Sequence, residues 1–170
     1  MGQKTTCQVP KSPKLYYTFT MPVPEDAPFW ETKTLDQMTP KEWEALCDTC
    51  GRCCLFKLED EDTHEIFYTR VICRYFNIEE GACQVYSART QLVPTCLKLD
   101  AQRVSELGWI PRSCAYRRLA EGRRLAAWHP LIAGSRKRMR KSGIAVKHST
   151  LSEEVVDMDH LENYIVEGMD

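Results

Sequence analysis

No stretch of this chain approaches the roughly 18 uninterrupted apolar residues that a membrane-spanning helix requires. Its first residues, MGQKTTCQVPKSPKLYYTF, also lack the continuous apolar segment of a secretory signal. Together these absences predict a soluble, cytoplasmic protein with no membrane partner. An excess of either charge is missing too. The 23 Lys and Arg against 24 Asp and Glu leave a net charge of -1, so no global field draws the chain to nucleic acid or anionic lipid. With 170 residues there is enough chain to bury a core, and size alone demands no covalent staple.

Cysteine, by contrast, is abundant. The chain has nine, many for a reducing compartment where disulfides rarely persist. Cys7 lies in residues 1–24, a polar stretch with Pro10, Pro13, Pro22 and Pro24 that reads as a flexible leader. The other eight, Cys47, Cys50, Cys53, Cys54, Cys73, Cys83, Cys96 and Cys114, fall inside residues 25–170, expected to form one cysteine-cluster domain. Four disulfides would use all eight, but the missing export signal argues for free thiols.

Local signals predict an α+β chain of short elements. Thr39, Pro40 and Glu42 in TPKEWEALC form a helix start with a capping box, with Trp43 and Leu46 on its buried face. IFYTRVIC, ending at Cys73, alternates like a strand, and Gly81 turns the chain into a segment carrying Cys83 as a hairpin partner. Pro94 to Cys96 reads as a turn. Helices follow in DAQRVSELGW, closed by Gly108, and in RSCAYRRLAEG, closed by Gly122. Ile144 to His148 reads as a strand, and a terminal helix begins at Ser152. The fold expected is a small irregular domain of short helices and strands, cross-linked by a cysteine-ligated metal centre.

CDTCGRCC, Cys47 to Cys54, carries the chemistry. Thiolates are soft anions whose mutual repulsion makes clustering costly unless a cation neutralises them. At about 100° per residue, Cys47, Cys50 and Cys54 would share a helix face, although Gly51 is expected to break that regularity. Adjacent Cys53 and Cys54 cannot easily reach one tetrahedral ion together, so they imply two centres, or one ligand and one supporting thiol. Cys47, Cys50 and Cys53 with a distant cysteine match the spacing of iron–sulfur ligation. Zinc usually takes two paired knuckles and only one is obvious, yet eight thiolates suffice for two four-cysteine zinc sites. The spacing therefore places an iron–sulfur cluster ahead of Zn2+. Buried inert thiols would account for Cys73 or Cys83 singly, but not for CDTCGRCC.

PFWETKTLDQMTPKEWEALCDTCGRCCLFKLEDEDT and the later CAYRRLAEGRRLAAWHPLIAGS closely resemble the bacterial YcgN-like branch of the YkgJ-type cysteine-cluster family, from about Pro28 to about Tyr164. That resemblance implies zinc or iron chelation through a CxxCxxCC signature matched at Cys47, Cys50, Cys53 and Cys54, with Cys73, Cys83, Cys96 and Cys114 as co-ligands. It implies no established reaction. Flagellin lysine methylases carry related clusters, but this chain shows no separate methyl-donor domain, so only the metal is carried over.

Other features have plainer readings. Glu59 to Glu65, EDEDTHE, offers oxygen ligands and His64, though such a run reads first as a solvated loop. His129 precedes Pro130 and reads as a packing turn; no Ser or Cys stands at a spacing that makes a triad with it. Arg136 to Lys141, five basic residues around Met139, reads as a solvated helix face without the aromatics that nucleic-acid stacking needs. Three function classes follow: a metal-binding protein, a redox or transfer enzyme using Cys53 or Cys54 as a reactive thiol or an open metal position, and an adaptor taking an acidic partner on residues 136–141.

Overall fold

Thr39 starts its helix as the local chemistry requires. In a computed structural model describing residues 26–168, its hydroxyl accepts the Glu42 amide at 3.3 Å, and the Glu42 carboxylate accepts the Thr39 amide at 2.8 Å. The Lys33 ammonium, 2.6 Å from Glu42, and the Thr39 amide together hold that carboxyl down at about 2. The expected leader and Cys7 lie outside the described residues.

The elements in order are helices α1 (Phe29–Thr32) and α2 (Pro40–Leu46), strands β1 (Leu55–Glu59), β2 (Ile66–Ile72), β3 (Phe76–Asn77) and β4 (Ala82–Cys83), helices α3 (Arg89–Leu92), α4 (Ala101–Glu106), α5 (Ala115–Ala120), α6 (Pro130–Ala133) and α7 (Lys137–Lys141), and strand β5 (Leu151–Ser152). Short 3₁₀ segments include Arg52–Cys54, Glu153–Val155 and Met158–Tyr164. This is a small α+β fold. No helix among the described residues is long and apolar enough to cross a membrane.

Two cores organise it. In the first, Leu46 from α2 meets Val104 of α4, Ala115 and Tyr116 of α5, and Leu125. Tyr116 donates its hydroxyl to the Trp43 carbonyl at 2.8 Å while the two rings pack at 4.6 Å, which locks α2 onto α5. The second core gathers Leu55, Tyr68, Ile72 and Phe76 under a three-stranded sheet in the order β1-β2-β5. There β1 and β2 are antiparallel with an irregularity between Leu55 and Lys57, while β5 runs parallel to β2 through Val71 and Leu151. Each fully buried aliphatic side chain contributes about 1.5–3 kcal/mol.

Several local expectations meet a tertiary preference. The hairpin partner of β2 is β1, and the loop between them carries Asp60 to Glu65 of the acidic run; Cys83 instead pairs with Phe76 in the separate β3–β4 hairpin around Gly81. Leu107, in extended backbone, closes α4, so Gly108 is not its left-handed stop. Gly122 does close α5, at φ +69°, and Cys114 stands at that helix's N-cap. Ile144 to His148 forms no strand, because Arg52 and Cys50 take its backbone groups. The terminal segment winds as 3₁₀ turns, with non-helical backbone at His160; Ser152 nevertheless caps the first of them.

Candidate functional site

CDTCGRCC is the bridge between the two cores, running from buried Leu46 to buried Leu55. The chain leaves the helix at once: Cys47 is the C-cap of α2, in extended backbone. Asp48 then accepts the Cys50 amide at 3.0 Å, and Thr49 and Gly51 adopt left-handed φ of +58° and +81°. Cys54 donates its amide to Gly51 at 2.9 Å, closing the 3₁₀ turn. A common helix face for Cys47, Cys50 and Cys54 is therefore replaced by two tight reversals. Arg52 holds the turn in place by donating to the carbonyls of Ile144 at 2.7 Å and Gly143 at 3.1 Å. The Val146 amide donates to Cys50 at 2.8 Å.

The cysteines at and around this bridge touch both cores. Cys114 packs against the first core and Cys54 against the second. The backbone of Cys54 accepts the amide of Cys73 at 3.1 Å, and Cys73 accepts that of Phe76 at 3.0 Å, which is paired with Cys83. Electrostatic neighbours meet at Cys53: Cys47 senses Cys53 and Cys114, while Cys54 senses Cys53, Cys73 and Cys83. Cys96 senses Cys53, Cys83 and Cys73. The Cys53 and Cys54 sulfurs stand 3.9 Å apart at the divide. Among the described residues all eight cysteines are unpaired thiols, and no group of three or more His, Cys, Asp or Glu side chains is set to hold a metal ion.

Without a neutralising cation, most of these thiols are held protonated. Burial pushes Cys47 and Cys114 up to about 12 and raises Cys50, Cys73 and Cys96 as well. Cys53 moves the other way, to about 7, because the Cys54 thiol donates to it and the Lys57 ammonium is near; that same donation raises Cys54. One thiolate is thus tolerated, and others are disfavoured until positive charge arrives.

Two residues that the cysteine pattern does not reveal complete the setting. Lys57 donates to the carbonyls of Leu55 at 2.6 Å, Arg52 at 3.2 Å and Cys53 at 3.3 Å. Its ammonium also lies 5.1 Å and 4.9 Å from the ring centres of Tyr68 and Trp109, and burial lowers it to about 8. A lone lysine inside the apolar strand LFKLE, just after the thiols, was its only signal. Asp48 is buried, and its second carboxylate oxygen has no hydrogen-bond partner. Soft donors, an orphaned carboxylate oxygen and a backbone folded tightly around them fit a cation.

The other sequence candidates are accounted for by local bonds. His64 pairs with Glu59 at 2.9 Å on the exposed hairpin loop, where Asp60 accepts from Asp62 and Thr63. His129 is buried: its Nε2–H donates to the Leu46 carbonyl at 3.1 Å, while Nδ1 accepts the Leu131 amide at 3.2 Å. Burial lowers its pKa, so the ring stays neutral and anchors the last turn of α2 just before Cys47.

Residues 46–115 match the family described as "CxxCxxCC: Putative zinc- or iron-chelating domain". The chain is 50% identical over 140 residues to the UPF0260 protein YcgN of Escherichia coli strain K12 and of Shigella flexneri, a match covering 81% of this chain and 92% of each relative. No solved structure matches it.

Proposed function

Because the chain belongs to the UPF0260 family of YcgN and its residues 46–115 match a domain described as zinc- or iron-chelating, we propose that its eight clustered cysteines hold two metal centres, one on each core. Cys47, Cys50, Cys53 and Cys114 form the first set; Cys54, Cys73, Cys83 and Cys96 form the second. The observation that carries this reading is that Cys114 packs on the first core and senses Cys53, whereas Cys54 packs on the second and senses Cys73 and Cys83. The first set has the two-residue spacing and one distant cysteine of iron–sulfur ligation, and the second suits a cluster or a four-cysteine zinc. An iron–sulfur cluster supplies one-electron transfer, and zinc supplies a rigid cross-link. The protein's own part is to bring the sulfurs together, to shield them from water and to balance their charge with Lys57. A reducing cytoplasm keeps the thiols available.

A second reading, a redox or transfer enzyme, rests on Cys53, which is solvent-exposed and has the Lys57 ammonium near its thiol. In that case Cys53 stays unligated and acts as the reactive thiol. Anaerobic purification followed by visible absorption and elemental analysis of the same sample tests both. Brown protein with iron and acid-labile sulfide is expected, and a metal-free, fully folded protein would remove the reading. Cys53 alkylating readily in fully loaded protein would favour the second.

A further inference from the structure

Arg136 and Arg140, from the basic run 136–141, line a cavity beside the cysteine bridge. It measures about 230 Å³, is floored by Thr49 and Cys50, and is rimmed by Arg136, Arg140, Lys147 and His148. Glu79 is the one acidic side chain on its described wall. In a chain with a net charge of -1, three permanent cations and a histidine around one hollow are a local concentration of positive charge. The arginines are also pre-positioned: Arg136 donates one nitrogen to the Glu80 carbonyl and Arg140 one to the Glu79 carbonyl, each at 3.1 Å. These contacts pin the guanidinium groups to the β3–β4 turn and leave further N–H donors on each fork. At the floor, the Thr49 hydroxyl is buried with no hydrogen-bond partner, on a residue held in left-handed backbone at φ +58°. Buried polar groups nearly always find a partner, and strained non-glycine backbone concentrates at ligand sites.

We propose that this cavity binds a small oxyanion, a phosphate or carboxylate group, held by Arg136, Arg140 and Lys147 with the Thr49 hydroxyl as an additional hydrogen-bond partner. The hollow is smaller than the ~300–1,000 Å³ pockets that take drug-sized ligands, which limits the occupant to an inorganic anion or the charged end of a small metabolite. Guanidinium forks suit both planar carboxylate and tetrahedral phosphate. The site stands whichever metal the cysteines take.

Calorimetric titration of the protein as purified, at fixed ionic strength with chloride as the reference salt, tests it with inorganic phosphate and, separately, with succinate. Saturable binding with a dissociation constant near or below about 1 mM is expected for at least one of them. The stronger of the two identifies the group recognised. Binding should weaken at least tenfold in the Arg136→Gln/Arg140→Gln variant. It should also weaken severalfold in Lys147→Gln, which removes no hydrogen bond or ion pair found among the described residues and so guards against a folding defect. No saturable heat from either anion, or affinity unchanged in Lys147→Gln and in the folded double variant, overturns the proposal.

Discussion

Gly51→Ala is expected to lower the unfolding free energy of the metal-loaded protein by about 3 kcal/mol or more, the sum of two costs that each run to about 1–3 kcal/mol. The first is conformational. Gly51 sits at φ +81° and starts the turn that carries Cys53 and Cys54, where a Cβ is disfavoured. The second is steric. A Cβ there would lie 2.6 Å and 2.8 Å from two ring carbons of Phe76 and 2.9 Å from a methyl of Val146. Neither neighbour yields cheaply, because Phe76 is a buried member of the second core and the Val146 backbone is bonded to Cys50. Gly122→Ala provides the control. Gly122 has a similar φ of +69° but nothing within 4 Å of a new Cβ, so it incurs the conformational cost alone. Denaturant unfolding of the two variants measures the difference; equal losses would mean that the close packing around the cysteine bridge is not tight.

Stripping the metal is expected to cost more still, and unevenly. From Cys73 to Cys96 the chain forms only two-residue strands, a 3₁₀ turn and a four-residue helix, and Phe76 is the one core side chain in that stretch. So little buried apolar area does little to offset the conformational entropy of ordering the segment, and the proposed ligation by Cys54, Cys73, Cys83 and Cys96 would supply the difference. Structural zinc contributes about 10–16 kcal/mol in small domains, and each kcal/mol moves the midpoint of a protein this size by roughly 2–4 °C. Chelation under reducing conditions should therefore lower the thermal midpoint by more than about 10 °C. Amide exchange should rise first in residues 73–96, while Val104 and Tyr116 in the first core stay protected. An unchanged midpoint and unchanged exchange after metal has left would show that packing alone holds the segment.

Legibility in the sequence tracked how local each cause is. The Thr39–Glu42 capping box, the strand at Ile66–Ile72 and the Gly122 stop depend on residues within a few positions of one another, and all three appear in the structure. The Ile144–His148 stretch was misleading because its β-forming side chains say nothing of Arg52 and Cys50, which occupy its backbone groups from some ninety positions away. The terminal helix failed for a related reason: Thr69 bridges to Ile165 and the Val166 amide donates to Tyr68, so contacts with β2 override the helical preference. At the site, spacing alone marks adjacent Cys53 and Cys54 as thiols that cannot easily serve one tetrahedral ion. What spacing does not carry is where the distant cysteines stand: Cys114 packs on the first core, while the backbones of Cys73 and Cys83 bond to Cys54 and pair with Phe76 beside the second. Lys57 escaped for want of any pattern: only its three carbonyl partners and two rings distinguish it from an ordinary strand lysine.

The division between Cys53 and Cys54 is the central claim, and metal content per chain in Cys53→Ser and Cys54→Ser, purified anaerobically beside the unaltered protein, tests it most directly. Two centres on two cores predict that each variant loses one portion of the bound metal and keeps the other, with different absorption spectra remaining. If either substitution alone empties the protein of all its metal, or if both leave the same metal and the same spectrum, the eight thiols do not form two separate centres.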